Sequence, residues 1–130
     1  MKGIKFFYIT CPKKKEANKI AGYLVKNKLV ACANIIHNVD SVFNWKGKVT
    51  KAKEILVIGK TMNKNVQKII KNVKKLHSYE VPCVIFFDIK NGNTDFLKWI
   101  IKSVFPFLIS KKITHGTSWL CNFFTLLTIF

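Results

Sequence analysis

Between Ala31 and Thr61 the chain carries two extended arms rich in Val, Ile, Phe and Trp, the first ending in Ser41-Val42-Phe43-Asn44-Trp45 and the second in Glu54-Ile55-Leu56-Val57-Ile58-Gly59-Lys60-Thr61. They meet at Lys46-Gly47, where glycine accepts the positive φ that a tight hairpin turn demands. Each arm is expected to reach about 12 to 14 residues, against the five or six of an ordinary strand, so the far end projects past the body of a small domain. A two-stranded ribbon standing alone is marginal in water and its open edges invite aggregation, so other subunits are expected to cover it.

The remaining elements follow from periodicity. Ile4 to Thr10 is apolar at both parities and suits a central strand. Ala17, Ile20, Ala21, Leu24 and Val25 recur at helical spacing, predicting a helix from about Pro12 to Lys28. Val66, Ile69, Ile70, Val73 and Leu76 predict a second from about Asn63 to Lys75. Cys83 to Ile89 reads as a strand, and Phe96, Leu97, Ile100, Ile101 and Val104 mark a last helix capped by Asn93 or Thr94. The order β-α-β-β-α-β-α is the α+β, ferredoxin-like split β-α-β sandwich, with two helices on one face of an antiparallel sheet. Its other face is then left apolar, drawing on Phe6 or Phe7, Val57, Ile58 and Phe86, and such a patch marks an interface. The domain is expected to span residues 1–104. Residues 105–130 form an apolar extension without an acid. Its final run from Trp119 to Phe130 falls short of the roughly 20 residues that cross a bilayer. The extension reads as an added element on the assembly, a weak membrane contact, or a non-native terminus.

At 130 residues and 49% hydrophobic the chain holds one core. The formal charge is +17, and all 23 basic residues are lysines. Arginine's planar fork, which reads guanine and grips phosphate bidentately, is absent, so the lysines read as a solvated surface, with a basic nucleic-acid-binding domain as the less favoured alternative. Cys11, Cys32, Cys83 and Cys121 stand singly with no C-x-x-C pair, and no secretory pattern opens the chain. That favours a reducing, cytoplasmic setting, with an organelle as the alternative.

Five blocks in order resemble the CutA family, the divalent-cation tolerance proteins. They are Ile9-Thr10-Cys11-Pro12, Ala31 to Ile36, the tip Phe43-Asn44-Trp45-Lys46-Gly47-Lys48 with Ile58-Gly59-Lys60-Thr61, His77-Ser78-Tyr79-Glu80-Val81-Pro82, and Gly92-Asn93 with Phe96 to Ile100. The resemblance covers about Ile4 to Val104. It implies a compact homotrimer whose sheets pack together and whose long hairpins pair edge to edge. It also implies copper, held by the motif histidine and by a glutamate after the motif's last proline. Here Ser78 replaces the proline after that histidine, and Cys83 stands where the glutamate is expected.

No nucleophile elbow, zinc-protease helix or phosphate-cradling loop is present, and only six acids are available, so an enzyme is not expected. The chemistry that remains is metal binding, because thiolate and imidazole suit copper and zinc. His77 and Cys83 flank the segment feeding the fourth strand, and Cys11 ends the neighbouring first strand, so these three are the candidate ligands for a copper ion. Each lone cysteine also fits as a small buried hydrophobe. His37 reads as a loop residue. Lys60, Tyr79, Glu80 and Trp45 are candidates for a cleft between subunits, with an ion pair for Glu80 and tip packing for Trp45 as the simpler readings. The functional expectation is a homotrimer responding to divalent metal. The alternative is a trimeric signalling or interaction scaffold of the PII type with no functional metal.

Overall fold

A computed structural model describes residues 2–105. Expectations about residues 106–130 therefore lie outside the described residues. The elements are β1 (Ile4–Cys11), α1 (Lys14–Lys26), β2 (Cys32–Trp45), β3 (Lys48–Met62), α2 (Val66–Leu76), β4 (Val84–Asp88) and α3 (Thr94–Val104). They form one antiparallel sheet in the order β2-β3-β1-β4. The predicted α+β sandwich is thus what the chain adopts.

The starts of α1 and α2 both lie later than the periodic reading places them, and both have local causes. Lys13 is extended, at φ −139° and ψ 148°, so α1 opens after Pro12 rather than at it. Ahead of α2, Asn63–Asn65 form a 3-10 turn. There the Asn65 amide donates to the Leu29 carbonyl at 3.0 Å, beside the Thr61 hydroxyl on the same oxygen at 2.6 Å, so Asn65 is spent on the loop after α1.

Alternation sets the two faces of the sheet. Phe7, Ile9, Cys11 and Val57 point to the side where Ala17, Ile20 and Leu24 of α1 and Ile69 and Val73 of α2 close over them. Gly59 lies in this layer opposite Phe7, and an added Cβ would sit 2.1 Å from the Cys32 carbonyl oxygen and 2.5 Å from the Phe7 ring. On the opposite face α3 covers only one end, through Ile4, Met62, Leu97, Ile100 and Val104. The rest of that face is apolar and partly open. Register places Phe6, Tyr8, Ile58, Ile85 and Phe87 on it, with Ile85 and Phe87 about half exposed. Of the two phenylalanines offered for this face Phe6 is the one on it, and Ile58 is in place, whereas Val57 and Phe86 belong with Phe7 to the helix-covered side. The sequence is apolar at both parities in β1, which hides the choice until a register is known.

The hairpin is as long as its pattern suggests, 14 and 15 residues, and turns at Lys46 (φ 50°) and Gly47 (φ 79°). One extra residue enters β2 between Ile36 and Val39, where Asn38 takes φ 59°. His37 sits exposed at this bulge.

Candidate metal centre

Four segments converge at the C-terminal end of β1. The strand delivers Thr10 and Cys11, the first turn of α1 delivers Glu16, the end of α2 passes into His77-Ser78-Tyr79, and β3 contributes Glu54. One thiol sulfur, one carboxylate oxygen and one imidazole nitrogen, from Cys11, Glu16 and His77, lie within 4.8 Å of one another.

His77 is fixed by its hydrogen bonds. The Tyr79 backbone N–H donates to Nδ1 at 3.0 Å, which makes Nδ1 an acceptor and puts the ring proton on Nε2. Nε2 then donates to the Thr10 carbonyl at 2.7 Å. A ligating histidine is commonly oriented this way, with one nitrogen tied to a carbonyl; here the other nitrogen already accepts the Tyr79 N–H, which an ion would displace. Nδ1 lies 3.1 Å from Glu16 Oε1, which also accepts the Ser78 N–H at 2.9 Å. Glu16 Oε1 and His77 Nδ1, each accepting a backbone N–H, thus lie 3.1 Å apart, and a metal ion between them would take the Nδ1 lone pair from the Tyr79 N–H. Two nitrogen or oxygen ligands of a tetrahedral zinc-like ion are separated by about 3.4 Å, so the pair fits such an edge with little movement.

Cys11 sits at zero exposure, and its thiol is pushed up to about 12, first by burial and then by the charges of Glu16 and Glu54. A cation among these groups would reverse the last two causes and favour the thiolate, so binding would release a proton. The Tyr79 hydroxyl donates to Glu54 Oε1 at 3.1 Å, and burial followed by the Glu54 charge raises its pKa.

Of the three expected ligands, Cys11 and His77 come together, while Cys83 is outside the group. Burial raises the Cys83 pKa, opposed by the neighbouring Thr10. Glu16 was not among the expected residues, though one signal marked it: it is the sole acid in the first 39 residues. The expected cleft residues are spread out within one chain. Tyr79 meets Glu54, Lys60 lies six residues along β3 toward Asn34, and Trp45 is at the other end opposite Lys48. At about 3.3 Å per residue those separations are roughly 20 Å each way. Glu80 is exposed. Among the described residues no helix is long and apolar enough to cross a membrane.

The description "CutA1 divalent ion tolerance protein" fits residues 5–103. The chain is 41% identical over 93 residues to a CutA homolog of Xenopus laevis, covering 72% of this chain and 62% of that protein. It is 40% identical over 99 residues to the divalent-cation tolerance protein CutA of Archaeoglobus fulgidus, covering 76% of this chain and 96% of that one. The solved structure of the archaeal protein, described as periplasmic, superposes with a TM-score of 0.75 over 78% of this chain and 98% of that chain. The animal and plant relatives are longer, and the chain spans about half to three fifths of their length.

Proposed function

Since the chain belongs to the CutA1 divalent ion tolerance family, we propose that it serves the response to divalent metal ions as a non-catalytic homotrimer of the cytoplasm that binds copper. The observation that carries the metal reading is the 3.1 Å approach of His77 Nδ1 to Glu16 Oε1 beside the Cys11 thiol. Sulfur and imidazole with one carboxylate suit copper or zinc, and copper heads the affinity order for divalent ions. The open apolar face of Phe6, Tyr8, Ile58, Ile85 and Phe87 supports the trimer, because it is what a neighbouring sheet would bury.

Native mass spectrometry of the full chain, titrated with copper under reducing conditions, tests both halves. The expected result is a trimer that takes up one ion per chain, with uptake lost in His77→Ala and in Glu16→Gln. Glu16→Gln keeps an oxygen for the Ser78 N–H, so its loss of uptake is not a loss of fold. Cys83→Ala is expected to retain uptake, since Cys83 stands apart from the group. Equal uptake in the parent and in Glu16→Gln sinks the assignment.

A second reading has its own observation. Both ring nitrogens of His77 already have partners, and among the described residues no buried side-chain nitrogen or oxygen lacks one. A knot so complete also serves as pure structure in a trimeric interaction or signalling scaffold. That reading expects an intact trimer that takes up no copper in parent or variants.

A further inference from the structure

The lysines are not evenly distributed. From Lys13 to Lys28 and from Lys64 to Lys75, the layer made by α1 and α2 exposes eleven lysines against one acid, Glu16. That acid is turned inward onto His77 and Ser78. This layer lies on the side of the sheet opposite the open apolar face, so an assembly through that face leaves it outermost.

The two helices are joined at one seam. Tyr23 donates its hydroxyl to Asn72 Oδ1 at 3.1 Å, and the Asn72 amide donates to the Lys68 carbonyl at 2.8 Å. Because Glu16 meets Ser78 just beyond α2 while Tyr23 meets Asn72 within it, the helices run antiparallel. Lys19 and Lys26 are then the i−4 and i+3 neighbours of Tyr23, and Lys68 and Lys75 hold the same places around Asn72. Four exposed lysines thus lie one helical turn from the two residues of the seam, and its tyrosine is 37% exposed. Among the described residues none of the four pairs with a carboxylate.

We propose that this seam binds single-stranded nucleic acid without sequence preference, the lysines tracking phosphates and the Tyr23 ring stacking on a base. A positive track with an aromatic platform is the usual build of such a surface. Lysine alone suffices there, because holding a phosphate needs charge and not the arginine fork. An anionic membrane fits less well. A helix that lies on lipid inserts an apolar stripe, and those of α1 and α2 are used in the core through Ile20, Leu24, Ile69 and Val73.

Fluorescence anisotropy of labelled oligouridylate with the full chain, between about 50 and 200 mM salt, tests the proposal. In the variant with Lys19, Lys26, Lys68 and Lys75 changed to Gln, the slope of log affinity against log salt should fall by roughly 3, about 0.7 for each phosphate no longer neutralised. Gln preserves helix propensity, and a thermal melt confirms the fold. The control changes Lys46, Lys48, Lys51 and Lys90 to Gln, removing the same charge elsewhere, and should keep most of the slope. Tyr23→Leu should weaken binding roughly tenfold without altering the slope, as removal of one stacked base does. Equal losses in the two quadruple variants reduce the effect to net charge and overturn the proposal. So do an unaffected Tyr23→Leu, no binding at the lowest salt, or binding to phosphatidylserine vesicles that oligouridylate does not displace.

Discussion

At Cys11 the thiol is fully buried beside Glu16 and Glu54, and its pKa is pushed up from 9.0 to about 12. The unfolded chain loses this proton near pH 9 and the folded chain keeps it, so between pH 9 and 12 unfolding releases a proton. The Cys11 contribution to stability is constant below that window and falls within it by about 1.4 kcal/mol per pH unit. Urea unfolding at stepped pH should show that slope in the parent. Cys11→Ala, less stable overall because of the space it leaves, should show a slope shallower by that amount, since Tyr79, whose pKa is also raised, still contributes. Gly59 gives a second test at this scale: the 2.1 Å approach to the Cys32 carbonyl means Gly59→Ala must displace backbone, and it should cost at least about 1–3 kcal/mol by thermal or urea melt. His77 and Cys11 were legible in the sequence because their residue types announce ligand chemistry and neighbouring strands imply proximity. Glu16 was not, because the fold that brings a first-turn glutamate under the end of a distant helix is set by antiparallel packing, which one-dimensional spacing does not encode. Cys83 shows the converse. It has ligand chemistry and lies near Thr10, yet its sulfur is not among the atoms of Cys11, Glu16 and His77 that lie within 4.8 Å of one another.

The elements themselves were readable, since each has a strong period and a chemical stop signal. Asn93 is the clearest stop, its side chain accepting from Asp95 N–H at 3.0 Å and Phe96 N–H at 3.2 Å. Asn93→Ala should therefore destabilise the chain by about 1 kcal/mol in a denaturant melt. The hairpin tip is less well served. Lys46 holds φ 50° beside Gly47 at 79°, a pair of positive values that favours Asn-Gly over Lys-Gly. Lys46→Asn should raise the melting temperature, with a gain of about 0.5 to 1 kcal/mol as left-handed strain is relieved. What periodicity missed was confined to ends and faces. The start of α2 was displaced by a side chain that reaches across to Leu29, and the facing of β1 was ambiguous because, Lys5 apart, both parities of the strand are largely apolar.

For the whole molecule, the two sides of the sheet have opposite characters, one closed by lysine-clad helices and one left apolar. Phe87 is 52% exposed in the single chain, so Phe87→Lys disturbs little of the chain's own core. In the trimer we propose, it buries an unpaired ammonium group. Light scattering coupled to size exclusion should find the variant monomeric and still folded by circular dichroism; a Phe87→Lys trimer would falsify packing through this face. The bulge between Ile36 and Val39 divides the hairpin in the same sense. Below it, Cys32 to Ile36 pair with a β3 segment that β1 also holds; above it, Val39 to Trp45 pair only with Lys48 to Glu54, for which β1 supplies no partner. An isolated chain can therefore let the outer half fray while the body stays closed, and only a neighbour's arrival locks those amides. Deuterium uptake at Val42 to Val49 then becomes a clock for assembly, fast in newly folded chains and slow once they have found their partners, while the amides of β1 keep one slow rate throughout.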